Sequence, residues 1–331
     1  MDRRRTNLLN LAPVSMSYLA ASVLFYVFLA VVTRRLEPNA GFGSITADVL
    51  RAYGASYREG VWDGGWQRFV LPMFMHVNVI HILLNMWFLY RMGPPAEVHY
   101  GSSNFGTIYL LSGVGGICMG LLLGGYRGPA AGASTSLFGI MGAFLAVKVQ
   151  ACWDWRRVWR SREVREVAFM IGLNLLLVGL MFPNVDNWGH LGGLLSGFAY
   201  GNLFEYWRKR RRVGLVLVLA AVVLTAGAVV LCRWTVYDPH YYTHLALRDE
   251  RAGRMADAAR HFDEARERSK LFRSGGAAME LFMAALDAQE KGNVAKRDRY
   301  LEIMRELAPP GLYDQVVQWR PSAVAPQTPP P

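Results

Sequence analysis

The chain has 331 residues, 53% of them hydrophobic, with 36 Lys/Arg against 25 Asp/Glu and three cysteines. The positive surplus is local: residues 1–233 hold 22 Lys/Arg and 11 Asp/Glu, whereas residues 234–331 hold 14 of each. Basic clusters set between apolar runs argue for membrane topology and against nucleic-acid binding. Cys118, Cys152 and Cys232, with no C-x-x-C and no metal-ligand spacing, argue against a disulfide framework or a zinc site.

Seven apolar stretches near the ~20 residues needed to span a bilayer are predicted in chain order, near 14–33, 70–90, 106–125, 132–150, 166–183, 188–206 and 214–232. The first follows Arg3-Arg4-Arg5. Its apolar run is long for a signal peptide and no clean cleavage site follows, so it reads as a retained span. Arginines between 156 and 165 follow the fourth span, and Arg208 to Arg212 follow the sixth. With seven spans these clusters and the amino terminus share one side, which the positive-inside rule makes cytoplasmic. The carboxyl-terminal segment is then non-cytoplasmic. The loop at 34–69 carries five arginines on the other side, a mild exception in a longer loop that also holds acids. The expected setting is a bacterial inner (plasma) membrane.

Beyond 233 the chain reads as a soluble segment of paired amphipathic helices, His244 to Lys270 and Ala277 to Leu307, punctuated by Gly253 and Gly292. The pattern is weakly similar to tetratricopeptide repeats, although the 39-residue interval exceeds their usual period of about 34. A small helical bundle without repeat identity fits equally well. The segment from Pro321 to Pro331 is Pro-rich and is expected to be disordered.

Polar groups at bilayer depth are costly and tend to mark function. Ser134 lies in Gly132-Ala133-Ser134-Thr135, where a loop becomes the fourth span. A serine there exposes its oxygen beside unpaired backbone N–H groups, and Gly132 permits a tight approach. Taken alone, such a serine more often bonds back to its own helix. His190 changes the balance. It sits at the matching depth of the sixth span, and Gly193, Gly197 and Gly201 share its helical face. A second small stripe, Thr135, Gly139, Gly142 and Ala146, lies beside Ser134. Two such faces let helices approach closely, which would bring a hydroxyl and an imidazole together. The second span adds His76, His81 and Asn85. A metal held by His76, His81 and His190 is disfavoured, because no H-E-x-x-H and no adjacent carboxylate occurs. Asp186, four residues before His190, reads as a helix cap. A Ser–His dyad without a third acid is therefore expected.

This constellation resembles the rhomboid family of intramembrane serine proteases. The matching elements, in order, are Trp66-Gln67-Arg68; His76, His81 and Asn85; Glu97 with Gly101; Gly132-Ala133-Ser134; and His190-Leu191-Gly192-Gly193 with Gly197. They cover roughly residues 60–206. The resemblance implies an all-α, polytopic membrane fold with a six-helix core over 1–213 and a seventh transmembrane helix at 214–233; the sequence pattern adds a soluble helical domain at 234–318 and a tail at 319–331. It implies Ser134 as nucleophile, His190 as general base, and the Ser134 N–H with the His81 and Asn85 side chains as oxyanion hole. His76, Phe138, Gly132, Gly193 and Gly197 would support them, with Phe138 stacking on the base. No cofactor or metal is implied. The implied partners are transmembrane protein substrates, the lipid bilayer and proteins that meet the C-terminal domain, with no nucleic acid. Thr135 departs from the glycine many members carry there. The alternative on the same scaffold is an inactive protein that binds membrane clients. A transporter lacks paired intramembrane acids or an inverted repeat.

Overall fold

The computed structural model describes residues 12–124, 128–152, 155–172, 186–271 and 273–318. It divides into two compact units, Met1–Arg233 and Trp234–Pro331. Among the described residues all regular structure is helical, apart from one antiparallel bridge between Ser56 and Ala130.

In the first unit, α1 (Pro13–Leu36) precedes two short helices, α2 (Ala47–Tyr53) and α3 (Arg58–Trp62), and two 3-10 turns (Trp66–Phe69 and Leu71–Phe74). Then follow α4 (Val79–Tyr100), α5 (Ser102–Leu123), α6 (Ser134–Cys152), α7 (Trp155–Arg160), α8 (Arg162–Gly172), α9 (Asn187–Lys209) and α10 (Arg211–Arg233). Four of these are long and apolar enough to cross a membrane: α1, α5, α6 through Ala151, and α10. Helices α4 and α9 have 22 and 23 residues but carry more polar side chains. The expected span at 166–183 overlaps α8, and its residues from 173 onward lie outside the described set.

The expected span at 70–90 needs correction. Its first part is not α-helical: Pro72 opens a 3-10 turn, and the helix begins only after Asn78. The Asn78 side chain accepts the His81 N–H at 2.8 Å, an N-cap that fixes the helix start. The helix then continues ten residues past the expected end, to Tyr100. Pro94 and Pro95 lie inside it without ending it.

Lipid offers helices little hydrophobic reason to associate, so close packing and polar ties must hold them. One such tie is Glu97, which is 1% exposed. Its carboxylate accepts the backbone N–H groups of Val14 (3.0 Å) and Ser15 (2.7 Å), and the hydroxyls of Ser15 (2.7 Å) and Ser102 (2.6 Å). It therefore satisfies orphan donors at the start of α1 and joins three helices. At the other end of the unit, Arg58 donates to the carbonyls of Leu121 (2.8 Å) and Gly124 (2.7 Å), capping the C-terminus of α5. Arg68 donates to the carbonyls of Arg51 (2.9 Å) and Ala55 (2.8 Å) and lies over the Tyr57 ring. Two of the arginines that strained the charge rule are thus engaged in folding the loop. Tyr200 of α9 ties down α10 through the Ala221 carbonyl (3.0 Å) and the Thr225 hydroxyl (2.7 Å).

The second unit comprises α11 (Pro239–Arg251), α12 (Met255–Ser269), α13 (Gly275–Glu290), α14 (Val294–Leu307) and α15 (Leu312–Gln318). Two antiparallel hairpins turn at Gly253 and Gly292, both with positive φ. The first helix begins five residues before His244, because Asp238 caps it by accepting the His240 N–H at 2.9 Å. Ser274 caps α13 in the same way. Leu247, Phe262, Leu281, Tyr300, Met304 and Leu307 form the core. The expected Pro-rich tail from 319 lies outside the described residues.

Glu280 of α13 accepts from His244 Nδ1 at 2.9 Å and lies 3.3 Å from His240 Nε2. Burial pushes its carboxyl up, but the hydrogen bonds and charge of the two histidines outweigh burial and hold it at about 2, below the ordinary 4.5. A carboxyl lowered on folding stabilises fully above its unfolded value, and loses that contribution as pH falls through the folded one. The window here is from about 4.5 down to about 2, and the contribution is on the order of 3 kcal/mol. Thermal unfolding of the intact chain at pH 5 and pH 3 checks this: Glu280→Gln should flatten the acid-induced fall in midpoint. A second expected outcome concerns Glu97→Ala, which leaves four donors unpaired and should destabilise the first unit by about 3 kcal/mol or more. Its unfolding midpoint in detergent should drop well below that of Ser102→Ala.

Candidate active site

Ser134 is the first residue of α6, so its N–H and the next two have no acceptor within the helix. The preceding loop is held from two sides. Ala130 and Ser56 exchange backbone hydrogen bonds at 2.8 and 2.9 Å, and the Gly132 N–H donates to the Pro72 carbonyl at 2.9 Å. Gly132 has φ +145, a conformation that L side chains rarely adopt. A methyl there would lie 2.7 Å from His81 Cε1, 3.0 Å from His81 Nε2 and 3.5 Å from Ser134 Oγ. Gly132 thus stands where the His81 ring and the serine oxygen come together.

His190 is one turn into α9. The Asp186 side chain caps that helix by accepting the Gly189 N–H at 2.9 Å. His190 Nε2 lies 2.8 Å from Ser134 Oγ. The Phe138 ring, one turn along α6 from Ser134, stacks on His190 with centroids 4.5 Å apart and planes 4° from parallel. Among the described residues nothing bonds the other ring nitrogen, Nδ1. His190 is 7% exposed, and Ser134 is half-buried.

The approach of α6 and α9 that makes this contact depends on missing side chains. A methyl at Gly193 would collide with the Thr135 carbonyl, one at Gly197 with the Gly139 carbonyl, and one at Gly142 with the Leu194 carbonyl. Helix α5 completes the junction, and sequence reading had not singled it out. A methyl at Gly116 would meet the Gly189 carbonyl at 2.6 Å and Thr135 Cβ at 2.9 Å. The signal was available in the spacing of Gly113, Gly116 and Gly120 along one face. This arrangement also accommodates the departure at Thr135. Its Cγ2 lies 3.3 Å from where a Gly189 methyl would be, so the side chain occupies space left by Gly116 and Gly189.

The remaining residues are placed as follows. His81 is at the first turn of α4, and its ring meets the His76 ring edge-on with centroids 5.2 Å apart. His76 is fully buried in the segment before that helix. Asn85 is buried, and its amide donates to the His81 carbonyl at 2.8 Å. Among the described residues Asn85 has no hydrogen bond to Ser134 or His190. Gly197→Ala should open the α6–α9 junction and cost about 1–3 kcal/mol, whereas Gly227→Ala, with nothing within 4 Å on α10, should leave the unfolding midpoint unchanged or raise it. Differential scanning fluorimetry in detergent distinguishes the two.

Comparison with known proteins identifies relatives of this chain. Residues 63–207 match the family model described as "Rhomboid domain". The chain is 32% identical to Rhomboid-like protease 1 of Toxoplasma gondii over 220 residues, 61% of this chain and 72% of that protein. It is 33% identical to RHOMBOID-like protein 6, mitochondrial, of Arabidopsis thaliana over 218 residues, covering 59% and 68% of the two chains. It is 33% identical to Rhomboid protease GluP of Bacillus subtilis over 206 residues, 62% of this chain but only 38% of the relative. Identities of 32% and 33% to relatives matched over two thirds or more of their own length make this chain an integral membrane protein of the rhomboid family.

Proposed function

We propose that the protein is an intramembrane serine endopeptidase that cleaves transmembrane segments of membrane proteins with a Ser134–His190 dyad. The observation that carries this reading is the 2.8 Å contact between Ser134 Oγ and His190 Nε2, and the protease names of the relatives support it. A serine hydroxyl is a weak nucleophile until a base removes its proton. His190 Nε2 takes that proton as Oγ attacks the substrate carbonyl, then returns it to the leaving amine. Water, activated by the same nitrogen, releases the acyl-enzyme.

The negative charge on the substrate oxygen needs donors fixed in advance. The free N–H groups at the start of α6 supply them, with Ser134 N–H first. The His81 ring, adjacent across Gly132, is the side-chain donor. Asn85 contributes once its amide turns from the His81 carbonyl. Phe138 holds the His190 ring plane so that Nε2 faces Oγ. Helical amides are already hydrogen-bonded, so substrates with small or helix-breaking residues at the cleavage site are expected. The positive-inside rule favours an amino terminus on the cytoplasmic side. The dyad then opens toward the non-cytoplasmic side, where α10 delivers the second unit to meet protein partners.

The test is cleavage of a labelled transmembrane substrate by purified protein, alongside labelling by a fluorophosphonate. Ser134→Ala and His190→Ala should each lower turnover by a factor of about 10³ or more, and Ser134→Ala should abolish labelling. Wild-type rates in the Ser134→Ala protein would refute the assignment.

A further inference from the structure

Two cysteines that the site does not use face each other across the first unit. Cys118 lies on the outer half of α5, and Cys232 is the penultimate residue of α10. Each is 2% exposed, and both belong to the same apolar core. The Cys232 thiol donates toward the Cys118 carbonyl at 3.7 Å. The two residues are 114 positions apart in sequence. As buried small hydrophobes they need not meet. Their apposition at the end of the least buried of the four apolar spans is a specific arrangement.

We propose that Cys118 and Cys232 form a reversible intramolecular disulfide that locks α10 to α5. Disulfide geometry requires the two side chains to point at each other from closely spaced backbones. The Cys232 sulfur, set against the Cys118 carbonyl within the same apolar core, brings the two residues together. The setting allows the remaining adjustment. A hollow of about 420 Å³ lies between α5, α9 and α10, lined by Cys118, Met119, Leu122, Ser196, Thr225 and Ala228 among others. It gives α10 room to move and gives a small apolar oxidant a place beside Cys118. Cys232 is one residue from the helix end, where fraying exposes a thiol intermittently.

In the reaction both S–H bonds break and one S–S bond forms. Two protons and two electrons pass to a lipid-soluble quinone, which becomes the hydroquinone. The bond would lie at the end of α10 opposite Arg211 and Arg212. On the orientation proposed above, that is the non-cytoplasmic side, where disulfides persist. Formation of the bond itself does not depend on that orientation or on proteolysis. Closure would tether the C-terminal end of α10 to the helix whose Gly116 and Gly120 support the start of α9.

The test uses the full chain in detergent with Cys152→Ser, so that two cysteines remain. The protein is treated with the permeant oxidant diamide, unfolded, alkylated with N-ethylmaleimide and weighed. The expected result is loss of both maleimide additions on a monomer, with a linked peptide joining the segments around Cys118 and Cys232. Prior dithiothreitol treatment of the oxidised protein should restore both additions. Cys118→Ala and Cys232→Ala, each in the same background, should retain their single addition, with no internal link. Two maleimide additions after diamide, or a linkage found only between chains, would overturn the proposal.

Discussion

The α6–α9 contact is the constraint on which the rest of the first unit depends. A serine on one helix and a histidine on another meet at 2.8 Å only if their backbones come closer than ordinary side chains allow. Gly193 and Gly197 on α9 lie against backbone carbonyls of α6, and Gly142 reciprocates against Leu194. In lipid this closeness substitutes for the hydrophobic effect, because packing and weak polar contacts supply the association. One stripe of small residues therefore both holds the helices together and sets the distance between the two side chains.

The loops act on the same distance from outside. The segment before α6 is bonded to Ser56 and Pro72, and the segment carrying Ser56 is bonded by Arg68. Arg58 then joins this assembly to the end of α5. Residues 55–75 thus tie the C-terminal end of α5 to the loop that leads into α6. Arg58 and Arg68 donate to carbonyls that helix and strand bonding leave without partners.

Sequence reading captured what depends on residue type and period. The apolar runs located α1, α5, α6, α9 and α10 to within a few residues, and the small stripes on α6 and α9 indicated which faces would meet. It failed where local capping overrides hydrophobicity. Residues 70–78 are apolar enough to read as a span, yet Pro72 and the Asn78 cap delay the helix to Val79. Asp238 and Ser274 likewise start two helices earlier than amphipathic period alone suggested. The contribution of α5 went unread for a different reason. Its glycines carry no chemistry, and only the fold reveals that Gly116 makes room for Thr135.

Among the described residues the carboxylates nearest the His190 segment or buried in the first unit are engaged elsewhere. Asp186 is the nearest carboxylate in sequence, and it is committed to the Gly189 N–H at the start of α9. Glu97 is surrounded by four donors, and Glu205 is paired with His99 at 2.8 Å. Each carboxylate is therefore held by fixed donors, as burial of charge demands. An acid added beside His190 Nδ1 would need donors of its own in a stretch built from glycine, leucine and phenylalanine. Orientation of the imidazole is instead supplied by the Phe138 face, which restricts the ring plane without introducing a charge. An imidazole held by packing, with Nδ1 unpaired among the described residues, suits an apolar surrounding better than a buried ion pair.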